Sequence, residues 1–203
     1  MNDTQSTIAA IATAKGAGGI AIVRVSGDNA EAVLRGAFVP AGGDGRFESH
    51  RMMYGHILDA RGEVLDEVMA VLMRAPRSYT REDVAEVHCH GGSVSAQAVL
   101  ERLLALGARM AAPGEFTRRA FMNGRIDLAR AEAVMQIIGA GSRAAARASV
   151  RQLEGGVSVF VKRVSDRLTD VMALLEASVD FPEEIDETAE AARVIDDLNA
   201  CRE

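Results

Sequence analysis

Residues 83–92 read Asp-Val-Ala-Glu-Val-His-Cys-His-Gly-Gly, and the period of this stretch decides how the first half of the chain folds. Polar and apolar side chains alternate from Ala85 to His90, well enough for 83–90 to read as a strand. A strand directs Glu86, His88 and His90 to one side and Val87 and Cys89 to the other. The thiol is therefore turned away from both imidazoles, which argues against a Cys-His catalytic pair. It also argues against one metal held by all three. Zinc sites take four ligands, commonly as two separated pairs, and the other candidates are only His50, His56 and Cys201. Cys89, beside Val87, reads as a small core residue. Three roles stay open for the Glu86-His88-His90 face: pocket lining, a structural role, and a metal site. Gly91 and Gly92 allow a backbone or a ligand to come close at the strand end.

Outward from this strand, short apolar segments with β-branched residues at 7–13 and 18–27 read as strands. Residues 28–37 read as a short helix, and "AGGDGRF" as a turn-rich loop. Segments 51–59 and 64–74 read as two strands joined by a turn at 60–62. Residues 93–107 carry an amphipathic helix ending at Gly107. Beyond 113 the pattern turns helical: 127–140 is one helix, and 142–179 is one long helix loosened at Gly155-Gly156. "DFPEEID" breaks it, because Pro182 disfavours helix at the residue before it. A last helix begins near Glu187. The predicted fold class is an α+β N-terminal domain, a mixed sheet with helices over 1–118, followed by an incomplete all-α helical domain over 119–203. The chain ends inside a helical pattern with no cap signal, so the expectation is a fragment.

Composition narrows the function classes. With 203 residues, 48% hydrophobic and 26% charged, the chain can build one large core or two small ones. A net charge of −6 excludes a chain that binds nucleic acid by its overall charge. Two cysteines far apart make no disulfide framework, and no basic-then-apolar leader or bilayer-length apolar run occurs. A soluble cytoplasmic protein without membrane association is the expectation. Charge is uneven along the chain. Residues 101–151 hold nine Arg against four acids, and 166–203 hold twelve acids against three Arg. That pattern marks either an anion-binding half and a partner-facing half or two solvated helix faces.

Two nucleotide motifs fail. "GAGGIA" at 16–21 precedes a strand, whereas a dinucleotide fingerprint opens a helix, and Gly-x-x-x-x-Gly-Lys-Ser/Thr is absent. "PGEFTRRAFMNGRIDLARAEA" at 113–133 places Arg118, Arg119 and Arg125 near helix starts, where they either contact an anionic ligand or stand in solvent.

The blocks "GAGGIAIVRVSG", "SYTREDVAEVHCHGG", "PGEFTRRAFMNGRIDLARAEAV" and "DFPEEID", in this order and over nearly the whole chain, resemble the MnmE (TrmE) family of tRNA uridine-5-carboxymethylaminomethyl modification GTPases. The resemblance implies an N-terminal domain similar to folate-binding domains of one-carbon transfer proteins, which forms the homodimer. A helical domain follows, with a G domain inserted into it. It implies a tetrahydrofolate derivative, 5-formyl- or 5,10-methylene-tetrahydrofolate, as one-carbon source. The implied partner is MnmG, a FAD protein that uses NADH, and the two act in a heterotetramer on C5 of the tRNA wobble uridine. GTP hydrolysis with Mg2+ and K+ belongs to the G domain. That domain and the family's C-terminal cysteine motif are missing from these residues, so the 203-residue chain is expected to hydrolyse no GTP and to hold no catalytic residue of its own. The resemblance carries three folate contacts over: Arg24, Glu86 and Arg125, a position at which the family also uses Lys. A pterin offers an N–H and an amino group side by side, which suits a carboxylate, and the folate glutamate tail suits an Arg. Two rivals stand beside this expectation, a dimerisation module without folate chemistry and a metallohydrolase using His88 and His90. The apolar face of helix 142–179 is expected to self-associate.

Overall fold

The structure, a computed structural model, describes residues 6–14, 16–42, 45–180 and 187–201, and of 187–190 the backbone alone. The chain divides into two compact units, Met1–Ile126 and Asp127–Glu203.

The first unit contains β1 (Ile8–Ile11), β2 (Ile20–Ser26), α1 (Ala30–Arg35), β3 (Phe38–Pro40), β4 (Met52–Leu58), β5 (Val64–Met73), β6 (Val84–His90), α2 (Ser93–Ala105), β7 (Arg109–Met110) and α3 (Glu115–Met122). The strands form one sheet in the order β3-β4-β5-β6-β2-β1-β7. All neighbours are antiparallel except β1 and β7. The alternation of residues 85–90 thus makes a central strand, bonded on both sides. Val87 lies opposite Val23 of β2 and Ala70 of β5, and Ala85 lies opposite Val25 and Leu72. These residues are fully buried and share one core with Val33 and Leu34 of α1 and Val99 and Leu103 of α2. Burial of each such Val or Leu stabilises by about 1.5–3 kcal/mol. Cys89 belongs to the same face, and its Sγ donates to the Ala21 carbonyl at 3.5 Å. Burial pushes the Cys89 thiol pKa up, which makes the thiol unreactive.

The other sheet face carries Glu86 opposite Arg24, and His88 opposite Ile22 and Met69. Further out on it, Met52, Tyr54 and Met69 are exposed. At the end of β6, Gly91 makes room for a neighbouring backbone. A Cβ there would lie 2.2 Å from the Gly18 carbonyl oxygen, and Gly18 N–H donates to Gly91 O at 3.1 Å. Gly92 has open space around it.

A buried polar chain ties α3 to the sheet. The Arg119 guanidinium, 2% exposed, donates to Glu82 at 3.1 and 3.2 Å, to Glu115 at 3.1 Å and to the Ser6 carbonyl at 2.7 Å. The Glu115 carboxylate, also 2% exposed, accepts from Arg109 at 2.6 and 2.9 Å and from the Ala112 N–H at 2.8 Å. Arg109 chiefly, with the Ala112 N–H and Arg119, holds the Glu115 pKa down to about 2 against the opposing effect of burial. A carboxylate whose folded pKa is depressed contributes stability that is complete above its unfolded pKa and is lost as pH falls. Glu115→Gln is therefore expected to flatten the acid limb of the stability curve between about pH 4.5 and pH 2. The native chain should lose on the order of 3 kcal/mol more than the variant across that window. Urea midpoints at stepped pH measure this, and parallel curves for the two proteins would refute it.

The second unit holds α4 (Leu128–Ile138), α5 (Arg143–Leu153), α6 (Gly156–Asp180) and α7 (Glu187–Ala200). Asp127 caps α4 by accepting from Arg130 N–H at 2.9 Å, and Ser142 caps α5 by accepting from Ala145 N–H at 3.1 Å. The single long helix expected over 142–179 is two helices. Gly155, at φ +102°, turns the chain out of helical geometry between them. Val159, Phe160, Val161, Met172 and Val179 of α6 are exposed. The expected break at "FPEEID", 181–186, lies outside the described residues. No helix of the described residues is long and apolar enough to cross a membrane.

Candidate functional site

Arg24 and Glu86 meet because β2 and β6 pair in register and both side chains leave the sheet on the face opposite α1 and α2. Arg24 engages Glu86 Oε1 through Nε and through Nη2, each at 2.8 Å. Glu86 Oε2 faces His88 Nε2 at 3.3 Å. The side chains of Arg24, Glu86 and His88 are 26%, 15% and 25% exposed, so the cluster is shielded but open to a ligand.

An aromatic lid stands over this pair. The Arg24 guanidinium lies 5.3 Å from the Tyr79 ring centre and 5.6 Å from that of Phe116. Arg125 approaches the same Tyr79 ring at 4.9 Å, so one phenol ring is shared by two guanidinium groups. Tyr79 sits in the β5–β6 connection, and that connection is clamped to the end of α3. Arg81 Nη1 donates to the Asn123 and Gly124 carbonyls at 3.1 Å each, and Asn123 Nδ2 donates to the Thr80 carbonyl at 2.6 Å. Arg125 Nη1 donates to the Tyr79 carbonyl at 3.1 Å. Tyr79 Oη and Thr117 Oγ1 are 2.9 Å apart. From the sheet side, Ser26 Oγ donates to Glu82 at 2.6 Å and meets Thr80 Oγ1 at 2.7 Å. Arg24 and Arg125, far apart in sequence, are thus gathered around Tyr79, and Glu86 joins them through Arg24.

Other predicted residues sit elsewhere. Arg119 is buried, and both of its Nη groups are used on Glu82, Glu115 and Ser6, with only the buried Nε left without a partner. Arg118 is largely exposed and lies 3.8 Å from Glu115. His90 is drawn away from His88: its Nδ1 lies 2.6 Å from Asp66 Oδ1, and the hydrogen bond to Asp66 raises its pKa. Asp66 also accepts from Ser95 Oγ. No group of three His, Cys, Asp or Glu side chains that could hold a metal occurs among the described residues. Tyr79 and Phe116 were not singled out from the sequence. Their one signal is scarcity, for aromatic residues make up 4% of the chain.

A cleft of about 490 Å³ opens beside the cluster between Met73, Arg77, Tyr79, Arg81 and Arg125. A larger cavity of about 710 Å³ lies beyond the other end of β6, between the 13–20 loop and the start of α2. Glycine and alanine dominate its wall, and none of Arg24, Glu86 and Arg125 borders it. Of the cluster, only Tyr79 and Arg125 line the smaller cleft, with Arg77 and Arg81 beside them, while Arg24, Glu86 and Phe116 line neither cavity. The smaller cleft offers guanidinium donors and an aromatic face, which suit an aromatic ligand bearing an anionic group, and the Glu86 carboxylate, bonded to Arg24, lies outside its lining.

Residues 7–125 match the family model described as GTP-binding protein TrmE N-terminus, and residues 128–203 match that of the MnmE helical domain. Among similar proteins, the tRNA modification GTPase MnmE of Synechococcus sp. (strain RCC307) is 54% identical over 182 residues, 88% of this chain and 40% of that protein. The protein of the same name from Geobacter sulfurreducens is 53% identical over 94% of this chain and 42% of its own length. That from Lactobacillus delbrueckii subsp. bulgaricus is 48% identical over 97% and 42%. The chain therefore spans about two fifths of the length of these relatives. With one family model covering its sheet-bearing unit and a second covering its helices, the chain belongs to the MnmE (TrmE) family.

Proposed function

We propose that this chain is the folate-binding and dimerising part of a tRNA-modification GTPase. The observation that carries the proposal is the Glu86 carboxylate held by Arg24, whose guanidinium lies against Tyr79 and Phe116, with Arg125 on the same Tyr79 ring. A tetrahydrofolate derivative fits this donor set. Glu86 would accept from the pterin N–H and amino groups. Arg24 holds the carboxylate in its orientation, and one of the two arginines would receive the anionic tail. When bound, the folate supplies a one-carbon unit. Folate binding and dimerisation belong, on this proposal, to the sheet-bearing part of the chain, and the remaining helices to the helical domain. Calorimetric titration of the chain with 5-formyltetrahydrofolate tests it: saturable binding supports it, and no binding overturns it.

The proposal extends to the whole protein. Relatives carry the name tRNA modification GTPase, and the proposed reaction is installation of a carboxymethylaminomethyl group on C5 of the wobble uridine, in the cytoplasm, with MnmG as FAD-bearing partner. GTP, Mg2+ and K+ belong to a G domain outside these 203 residues. The chain, which has no Gly-x-x-x-x-Gly-Lys-Ser/Thr, is expected to show no potassium-stimulated GTP hydrolysis above a protein-free blank. Phosphate release at saturating GTP measures this, and turnover that scales with protein concentration would refute it. A second reading, a dimerisation module without folate chemistry, draws on the exposed Met52, Tyr54 and Met69 of the open sheet face. The folate titration separates the two.

A further inference from the structure

The excess of arginine over acid in residues 101–151 is only partly used by the candidate site and the buried polar chain. Arg109 and Arg119 are engaged by Glu115 and Glu82, and Arg130 lies 3.7 Å from Asp127. Arg143, Arg147 and Arg151 differ. All three are exposed on α5, and none forms an ion pair with a carboxylate among the described residues. Their spacing of four residues places them within an arc of ~80° around the helix, each about 6 Å further along its axis. The opposite side of α5 faces α4, where Gln152 Nε2 donates to the Ala129 carbonyl at 2.9 Å and Ser149 Oγ reaches Gln136 at 3.5 Å. Between Arg143 and Leu153 the helix carries no acid.

This stripe works against its own helix. Like charges four residues apart repel. Arg143 stands in the first turn, where the helix dipole disfavours a cation, whereas Arg151 stands in the last turn, where it is favoured. A linear polyanion laid along the stripe would relieve both effects. A phosphodiester backbone presents one charge per nucleotide at a spacing of the same order as the guanidinium repeat, and arginine grips phosphate through two donors at once. We propose that the Arg143–Arg147–Arg151 face of α5 binds the phosphate backbone of RNA. The polyanion follows from the stripe, and the choice of RNA rests on the tRNA-modification reading above. The chain's net charge of −6 confines the attraction to the stripe's surroundings, about 10 Å at ~0.1 M salt.

The test is fluorescence anisotropy of a labelled RNA hairpin of arbitrary sequence, titrated with the full 203-residue chain at several KCl concentrations. The comparison is Arg143→Gln/Arg147→Gln/Arg151→Gln, which removes three charges from an exposed helix face and retains good helix formers. Binding of the native chain should weaken with salt. The triple variant should bind at least about tenfold more weakly at low salt, with the slope of log K against log[KCl] reduced by about 2–3. Its thermal midpoint should be equal or higher, because the repulsion is gone. Its titration with 5-formyltetrahydrofolate should match that of the native chain, which keeps this test separate from that of the folate site. Equal affinity and equal slope for the two proteins would overturn the proposal. So would displacement of the hairpin from the native chain, charge for charge, by poly-glutamate, which would assign the stripe to an acidic protein partner.

Discussion

Arg119→Ala is expected to lower the unfolding free energy by about 3–5 kcal/mol, the largest stability effect of any single charged residue in the first unit. The loss does not measure one contact. Arg119 serves one buried carboxylate, one half-buried carboxylate and a backbone carbonyl at once. Its removal leaves Glu82 without its guanidinium and takes one donor from Glu115, both shielded from water. An unpaired buried charge costs more than the pair contributes. Arg119→Lys restores a charge, but a single ammonium cannot span all three acceptors. Its midpoint should fall between those of the native and alanine proteins. Urea denaturation reads both variants, and a change below about 1 kcal/mol for alanine would show that the network is dispensable.

Glu86→Ala should reduce the affinity for 5-formyltetrahydrofolate by at least about 100-fold. Two hydrogen bonds to a charged acceptor, at about 1.5–3 kcal/mol each, are lost together, and each 1.4 kcal/mol is tenfold in affinity. Glu86→Gln keeps one acceptor and should lose less. Stability should change little, because Arg24 remains partly exposed and can be solvated. Calorimetry gives the affinity, and sedimentation gives the oligomeric state, which should match that of the native chain. Unchanged folate affinity in Glu86→Ala would sink the assignment of this carboxylate to the pterin.

Much of the first unit is legible in the sequence because its central strands are long enough to show a period. Seven residues of β6 separate Glu86 from Cys89 onto opposite faces, and the structure keeps that separation. The edge strands β3 and β7 have three and two residues, too few for any period to show. The α5–α6 junction was hidden because apolar spacing runs on at helical period through it. One residue, Gly155, redirects the backbone without disturbing that spacing. Arg119 was misplaced for another reason. Sequence shows the charge of an arginine and not whether carboxylates from two other segments will meet it, and Glu82 lies 37 residues away. Tyr79 escaped notice likewise. Its place at the site is set by Arg81 and Asn123, which hold the connection against α3, and no local pattern announces that clamp.

The position of Tyr79 gives the molecule an optical property. The chain has no tryptophan and two tyrosines, so its tyrosine emission comes from Tyr54 and Tyr79. Tyr54 is bonded to Glu67 on the outer part of the sheet, whereas Tyr79 lies between the two arginines of the candidate site. A ligand that displaces either guanidinium from that ring alters the surroundings of one emitter and leaves the other as an internal standard. The protein is in effect its own label-free sensor of occupancy, and Tyr54→Phe would isolate the reporting signal.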